Sequence, residues 1–345
     1  MTLFHEILEQ TVLFDRLYSN QKDNIVEIAS VIKKNFPKFI FLAARGTSDN
    51  AGRYANYLWG SNNQLPVALA TSSLFTFYEK PPRLEGALVV GISQSGQSPD
   101  IVKVLEEGRR QGQLTLAITN SPDSPLANAA EYTIDICAGL ETAVAATKTY
   151  TAELMAIALL SVILKDDNEQ LGHLKNISEW IEQVLSIDDQ IARIAERYRY
   201  MNQCVVIGRG YNYATAFEWS LKLKEMTYTI AEPYSSADFR HGPIAMIERG
   251  FPIMAVAPEG YVFEDIRKLL LGLKNDLGAE LLVISDQQEA LDLAQSPLAL
   301  PKGIPEWLTP LVAIVPAQLF AYYLTLVKGV DVNNPRSIQK VTQTQ

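Results

Sequence analysis

The chain has 345 residues, 48% hydrophobic and 20% charged, which supplies ample material for a core and excludes a disordered polymer. Thirty Lys and Arg against 39 Asp and Glu leave a formal charge of −9, which excludes a general duplex binder, because such affinity rests on Lys and Arg neutralising phosphates. No run of 18 apolar residues occurs, and the start MTLFHEILEQ lacks a basic leader with an apolar stretch behind it, so the expectation is a soluble, cytoplasmic protein with no membrane partner.

In chain order, residues 1–35 carry Phe4, Ile7, Leu8, Val12, Leu13, Leu17, Ile25, Ile28, Ala29 and Ile32 at spacings of three and four. This predicts N-terminal amphipathic helices broken near Ser19-Asn20. Over 36–165 the pattern changes to short apolar runs: Phe39 to Ala44, Val67 to Ala70, Ala87 to Ile92, Leu114 to Thr119 and Tyr132 to Cys137. Continuous apolar strands separated by helical stretches predict βαβ units and a parallel sheet covered on both faces. A long helix from about Thr147 to Leu164 closes this domain, and the polar residues 166–200 read as a helical bridge.

The same grammar restarts over 201–330, with runs at Cys204 to Gly208, Pro252 to Ala257 and Leu281 to Ser285 and helices near 213–229 and 263–277. Arg45-Gly46 matches Arg209-Gly210 at an offset of 164, and Val90 matches Val256 at 166. LAITN, starting at Leu116, matches LVISD, starting at Leu282, again at 166. A near-constant offset predicts two copies of one α/β domain. Residues 331–345 are polar with an Asn-Asn-Pro turn signal and read by composition as a loose tail.

Cys137 and Cys204 have no second Cys or clustered His nearby, which excludes a disulfide scaffold and a zinc site of the usual spacing; both read as buried small hydrophobes. GISQSGQSPD at 91–100 places Ser98 as an N-cap, Pro99 at the first helical position and Asp100 in the first turn. Uncharged donors at a helix N-terminus beyond a parallel strand suit a phosphate monoester, although a polar loop with one capping serine fits the same letters. Gly46-Thr47-Ser48, after the first strand, is a second hydroxyl-bearing turn. GRGYNY at 208–213 is rejected as a dinucleotide motif because Tyr213 stands where close helix packing needs a small residue. Glu218, Lys222 and Glu225 share one helix face, either as a solvated pair or as a functional cluster. His241, in a loop beside Arg240 and Gly242-Pro243, is a candidate acid or base.

RGTSDN, GISQSGQSPD, AVAATKTYTAEL, FEWSLKLKEMTYTIAEPY, FRHGP and VNNPRSIQKVT, in that order, resemble the double sugar-isomerase (SIS) domain of the glutamine:fructose-6-phosphate amidotransferases and their stand-alone relatives. The resemblance implies an α/β fold of two tandem SIS domains, each a parallel sheet flanked by helices in a flavodoxin-like three-layer αβα arrangement. It implies that Ser93, Gln94, Ser95 and Ser98, with Ser48, hold a sugar phosphate, and that Thr47 and the stretch Val144 to Ala146 meet sugar hydroxyls. Glu225 would move the proton between C1 and C2, with Lys222 near the oxygens or amine there. His241 would assist ring opening from the neighbouring subunit of a homodimer with a shared active site. Lys340 would reach back from the tail and could form a Schiff base. These types suffice chemically without a metal or other cofactor, since a hydrogen shift needs one carboxylate serving both carbons, a proton donor for the ring oxygen and a cation beside the developing charge.

The expected substrate is an amino- or keto-hexose 6-phosphate, with deamination of glucosamine 6-phosphate to fructose 6-phosphate and ammonia preferred. A plain aldose-ketose isomerase, a deglycase of fructosamine phosphates and a non-catalytic sugar-phosphate sensor are the alternatives. Four positions depart from the synthase pattern: Ser98 replaces threonine, Gln97 glutamate, Arg45 cysteine and Ala146 serine. The opening Met1-Thr2 carries no cysteine nucleophile, so ammonia is not expected to come from glutamine.

Overall fold

The computed structural model describes residues 2–340, so positions 341–345 of the predicted tail lie outside the described residues. The chain opens on α1 (Leu3–Leu8) and α2 (Leu13–Asn35). The break between them is a 3-10 turn at Glu9–Val12, not Ser19-Asn20. Ser19 and Asn20 lie on the exposed side of α2, and Asn20 bonds back to the carbonyl of Arg16, so their polarity is absorbed without interrupting the helix.

Two compact units follow from the internal packing. One comprises residues 12–142, 146–178 and 339–340; the other comprises 2–11, 143–145 and 179–338. The first holds β1 (Phe39–Ala43), α3 (Thr47–Asn63), β2 (Val67–Leu69), β3 (Ala87–Ile92), α4 (Pro99–Arg110), β4 (Leu114–Thr119), β5 (Tyr132–Asp135) and α5 (Lys148–Lys165). Its strands are all parallel in the order β2-β1-β3-β4-β5. Side chains alternate across a strand. Phe41, Ala43 and Val89 therefore meet Ile101, Val104 and Leu105 of α4 on one face, while Leu42 meets α3 on the other. α3 and α2 both pack on α5, whose central turns, Leu154 to Leu160, are apolar and buried all round.

α6 (Asn168–Leu174), α7 (Ile177–Leu185) and α8 (Asp188–Arg197) form the bridge, and the division between the units falls inside α7. The second unit then repeats the first with β6 (Gln203–Gly208), α9 (Tyr213–Thr227), β7 (Ile230–Ser235), β8 (Pro252–Val256), α10 (Phe263–Asn275), β9 (Glu280–Ser285), β10 (Ser296–Ala299) and α11 (Thr309–Val327). Its order, β10-β9-β8-β6-β7, is the same winding read from the opposite edge. Strands β7 and β10 escape the apolar-run criterion because both are edges: β7 contains Glu232 and Pro233, β10 contains Pro297, and an edge tolerates what a central strand does not. α11 is long and apolar enough to cross a membrane by composition, yet its residues from Leu311 to Phe320 are buried against α8 and α9 of its own unit.

Two readings are corrected. Cys204 is buried, but Cys137 is only half-buried, because the chain turns at φ +52° just past β5 and carries it off the sheet. The residues 331–340 of the tail are held in place. Asp331 accepts the N–H groups of Asn333 and Asn334, Val332 is buried, the Arg336 N–H donates to the Tyr228 hydroxyl, and the Arg336 guanidinium stacks on that ring at 3.7 Å.

Candidate active site

In an open sheet of this order, ligands bind beyond the carboxyl ends of the two central strands whose helices leave on opposite faces. In the first unit these strands are β1 and β3, adjacent and parallel. Their exits are Gly46-Thr47-Ser48 at the start of α3 and Ser93 to Ser98 at the start of α4. Two helix N-termini thus end side by side, each with N–H groups that the helix cannot use.

The loop after β3 is wound on its own serines. Ser93 Oγ accepts the Gly96 N–H at 3.2 Å, and Ser95 Oγ accepts the Gln97 N–H at 3.3 Å, which leaves the Ser95 hydrogen to donate elsewhere. Gly96 sits at φ +62°, where a Cβ would lie 2.0 Å from Ser124 Oγ, so only glycine closes this turn. The Gln94 carbonyl accepts from the Asn120 N–H and the Thr119 hydroxyl. Ser98 occupies the N-cap as predicted, but its hydroxyl makes no capping bond, so it too is open to a ligand. Ser48 differs: it is buried and donates to Glu153 at 2.8 Å, which leaves its backbone N–H as the group for an anion. Thr47 is half-buried on the first turn of α3, and Ala146 is half-buried before α5.

Lys340 belongs to this unit, and its Nζ lies 2.5 Å from Glu141 Oε2. Glu141 is buried and also accepts the Thr147 and Thr149 N–H groups and the Thr149 hydroxyl, capping the start of α5. Sequence reading misses both Glu141 and Glu153. The available signal was a lone acid in the apolar run of α5 for Glu153, and an acid six residues ahead of Thr147 for Glu141.

The second unit carries the other cluster. Lys222 Nζ lies 2.6 Å from Glu225 Oε2 and 3.3 Å from Glu218 Oε1. The side chains of Lys222 and Glu218 are 1% and 0% exposed, while that of Glu225 is 25% exposed, so the solvated-pair alternative is wrong. Burial works against the charge on Lys222, but the two carboxylates outweigh it and raise its pKa above the ordinary lysine value. Of the three groups, Glu225 is the one a ligand can reach. His241 caps the short helix Ser236–Arg240 through its backbone, and its imidazole is exposed. Val144 is half-buried in this unit, beside Ala143, whose N–H is held at 3.3 Å by the buried Glu6 of α1. Among the described residues no group of three His, Cys, Asp or Glu could hold a metal ion.

Two parallel sheets of one winding order, the first ending in hydroxyl-lined loops at two helix N-termini, define a tandem α/β protein of repeated three-layer domains. The SIS-domain family profile matches residues 37–163 and again 198–328, and the chain belongs to that family. It is 37% identical over 308 residues to the glutamine-fructose-6-phosphate aminotransferase (isomerizing) of Shouchella clausii, covering 87% of this chain and 50% of that protein. The corresponding enzyme of Aquifex aeolicus is 32% identical over 90% of this chain and 52% of its own length. The chain therefore spans about half the length of the curated relatives it matches, and it is homologous to their isomerase half. Among solved structures, the C-terminal domain of the glucosamine-fructose-6-phosphate aminotransferase of Francisella tularensis superposes with a TM-score of 0.87 at 28% identity, covering 96% of this chain and 98% of that one. A protein of Silicibacter pomeroyi described as a candidate phosphosugar isomerase gives 0.86 at 31% identity, covering 96% and 99%.

Proposed function

We propose that the chain is a phosphosugar isomerase and deaminase whose leading reaction converts glucosamine 6-phosphate and water to fructose 6-phosphate and ammonia. The observation that carries this reading is the Glu218-Lys222-Glu225 cluster, which holds one reachable carboxylate against a buried lysine whose pKa the two carboxylates raise. The isomerising activity named for the relatives supports it. In this reading the Ser95 and Ser98 hydroxyls, the Ser93 to Ser98 loop and the α3 N-terminus bind the phosphate. His241 gives a proton to the ring oxygen as the ring opens. Glu225 then takes the proton from C2 and returns it to C1 while one amine proton passes to the C1 oxygen, leaving an imine at C2 that water hydrolyses to the ketone and ammonia. Lys222 acts through Glu225 as a positioning residue, since its own side chain is buried.

The test is to incubate the protein with glucosamine 6-phosphate and measure both products. Ammonia and fructose 6-phosphate should appear in equal amounts. Turnover of glucose 6-phosphate or of a fructosamine phosphate alone would overturn the deaminase assignment and leave the isomerase or deglycase one. Binding with no turnover of any of the three would mark a sensor.

The family resemblance further supports a homodimer in which His241 serves the neighbouring chain's substrate. Mixing Glu225→Gln and His241→Ala chains, each inactive alone, should restore part of the activity through hybrid sites. A fully active monomer in sedimentation would exclude this sharing.

A further inference from the structure

We propose that Arg45 is a phosphate ligand, so that the cradle of the first unit carries a fixed positive charge beside its hydroxyls. This rests on the phosphate-binding reading above and adds to it a residue that the neutral serine and glutamine set does not contain. Arg45 follows β1 directly and crosses to α4, where its Nε donates to Asp100 Oδ2 at 2.7 Å. Asp100 is wholly buried in the first turn of that helix. A carboxylate there repels an incoming anion unless a cation neutralises it, and Arg45 is that cation.

The bond to Asp100 uses Nε. Half of the Arg45 side chain is exposed, and among the described residues its terminal amino groups meet no acceptor. The further charge that interacts with Arg45 is Asp49, which has its own partner in Arg53 at 3.2 Å. With Nε fixed to the first turn of α4, four N–H donors of the planar fork remain for a ligand.

The second unit repeats this pair and shows the same place filled from within. Arg209, after β6, donates from Nη1 to Asp265 in the first turn of α10 at 2.6 Å, as Arg45 does to Asp100 one repeat earlier. There, however, the guanidinium also meets Ser236 Oγ, and Arg240 shares Asp265. The Glu306 carboxylate takes the Tyr261 N–H at 3.0 Å and stands 2.2 Å from where a Cβ on Gly260 would be. No carboxylate is bonded to the Ser93 to Ser98 loop of the first unit among the described residues. The second repeat supplies its own anion, whereas the first leaves its arginine and its loop for one from solution.

The experiment is calorimetric titration of the full chain with inorganic phosphate. Because Arg45→Gln alone would take the Arg45 cation from buried Asp100, the comparison is between Asp100→Asn and the double variant Arg45→Gln/Asp100→Asn. The double variant should bind phosphate about tenfold more weakly than the single one, the loss expected for one charge-assisted contact. Arg45→Lys/Asp100→Asn should fall between them. Equal affinity of the double and single variants overturns the role of Arg45. Ser95→Ala/Ser98→Ala separates the two levels of the argument: if it weakens phosphate binding while loss of Arg45 does not, the cradle stands without Arg45. If it changes nothing, the cradle reading fails and Arg45 with it.

Discussion

Replacing Glu225 by Gln is expected to reduce turnover of glucosamine 6-phosphate by about a thousandfold, within the range set by removal of a general base. Binding of the substrate should change little, since the groups proposed to hold the phosphate are Ser95, Ser98 and the α3 N-terminus and not Glu225. The fold should survive, because Glu225 is the partly exposed member of its cluster and Lys222 keeps Glu218 at 3.3 Å. Lys222→Met behaves differently: it leaves the wholly buried Glu218 without its cation, and a buried charge stripped of its partner costs roughly 3–5 kcal/mol. Loss of activity in that variant should therefore come with a marked fall in melting temperature, and in Glu225→Gln without one. The sign of the lysine's shift adds a control. Its folded pKa is raised, so its contribution to stability is fully present below the ordinary lysine value of 10.5 and is lost only as pH rises above it. A pH–rate profile between 5 and 9 should not report Lys222. A Glu225→Gln enzyme with wild-type turnover would remove Glu225 from the chemistry.

Much of this was legible in the amino-acid order. The central strands of both sheets are unbroken apolar runs because both of their faces are covered, and the register of the repeat survives as an offset of 164 to 166 residues. The N-terminus of α4 is written by Ser98-Pro99-Asp100. What sequence patterns conceal is of two kinds. Edge strands such as β7 and β10 carry proline and glutamate because half of their backbone has no partner to satisfy, so they look like loops. The buried acids Glu6, Glu141 and Glu153 each meet a group far away in the chain: the Ala143 N–H, Lys340 and Ser48 respectively. Spacing along one helix cannot reveal such partners. It likewise could not tell whether the Glu218-Lys222-Glu225 face was wet or dry, which depends on the packing of α9 against α11.

Lys340 is the sharpest case, because composition marks its surroundings as a dispensable tail while the structure seats its amine on Glu141. We propose that this lysine meets the open-chain ketose and can form a Schiff base with its carbonyl. Glu141 would take the proton that the ammonium must shed before the amine attacks. Removing Lys340 does not strand Glu141, which keeps two N–H groups and the Thr149 hydroxyl as donors. Lys340→Ala should therefore lower turnover about a hundredfold or more, while the melting temperature moves by only about a few degrees, as expected for roughly 1 kcal/mol in a chain of this length. Deleting residues 336–345 should cost at least as much turnover, since it removes Lys340 together with the Arg336 stack on Tyr228 that fixes the course of the tail. Borohydride reduction in the presence of fructose 6-phosphate should add the mass of the reduced sugar adduct to the peptide containing Lys340, and Glu141→Gln should slow that labelling without abolishing it. Full turnover by the truncated chain, or labelling that persists unchanged in Lys340→Ala, would show that the tail has no part in the reaction.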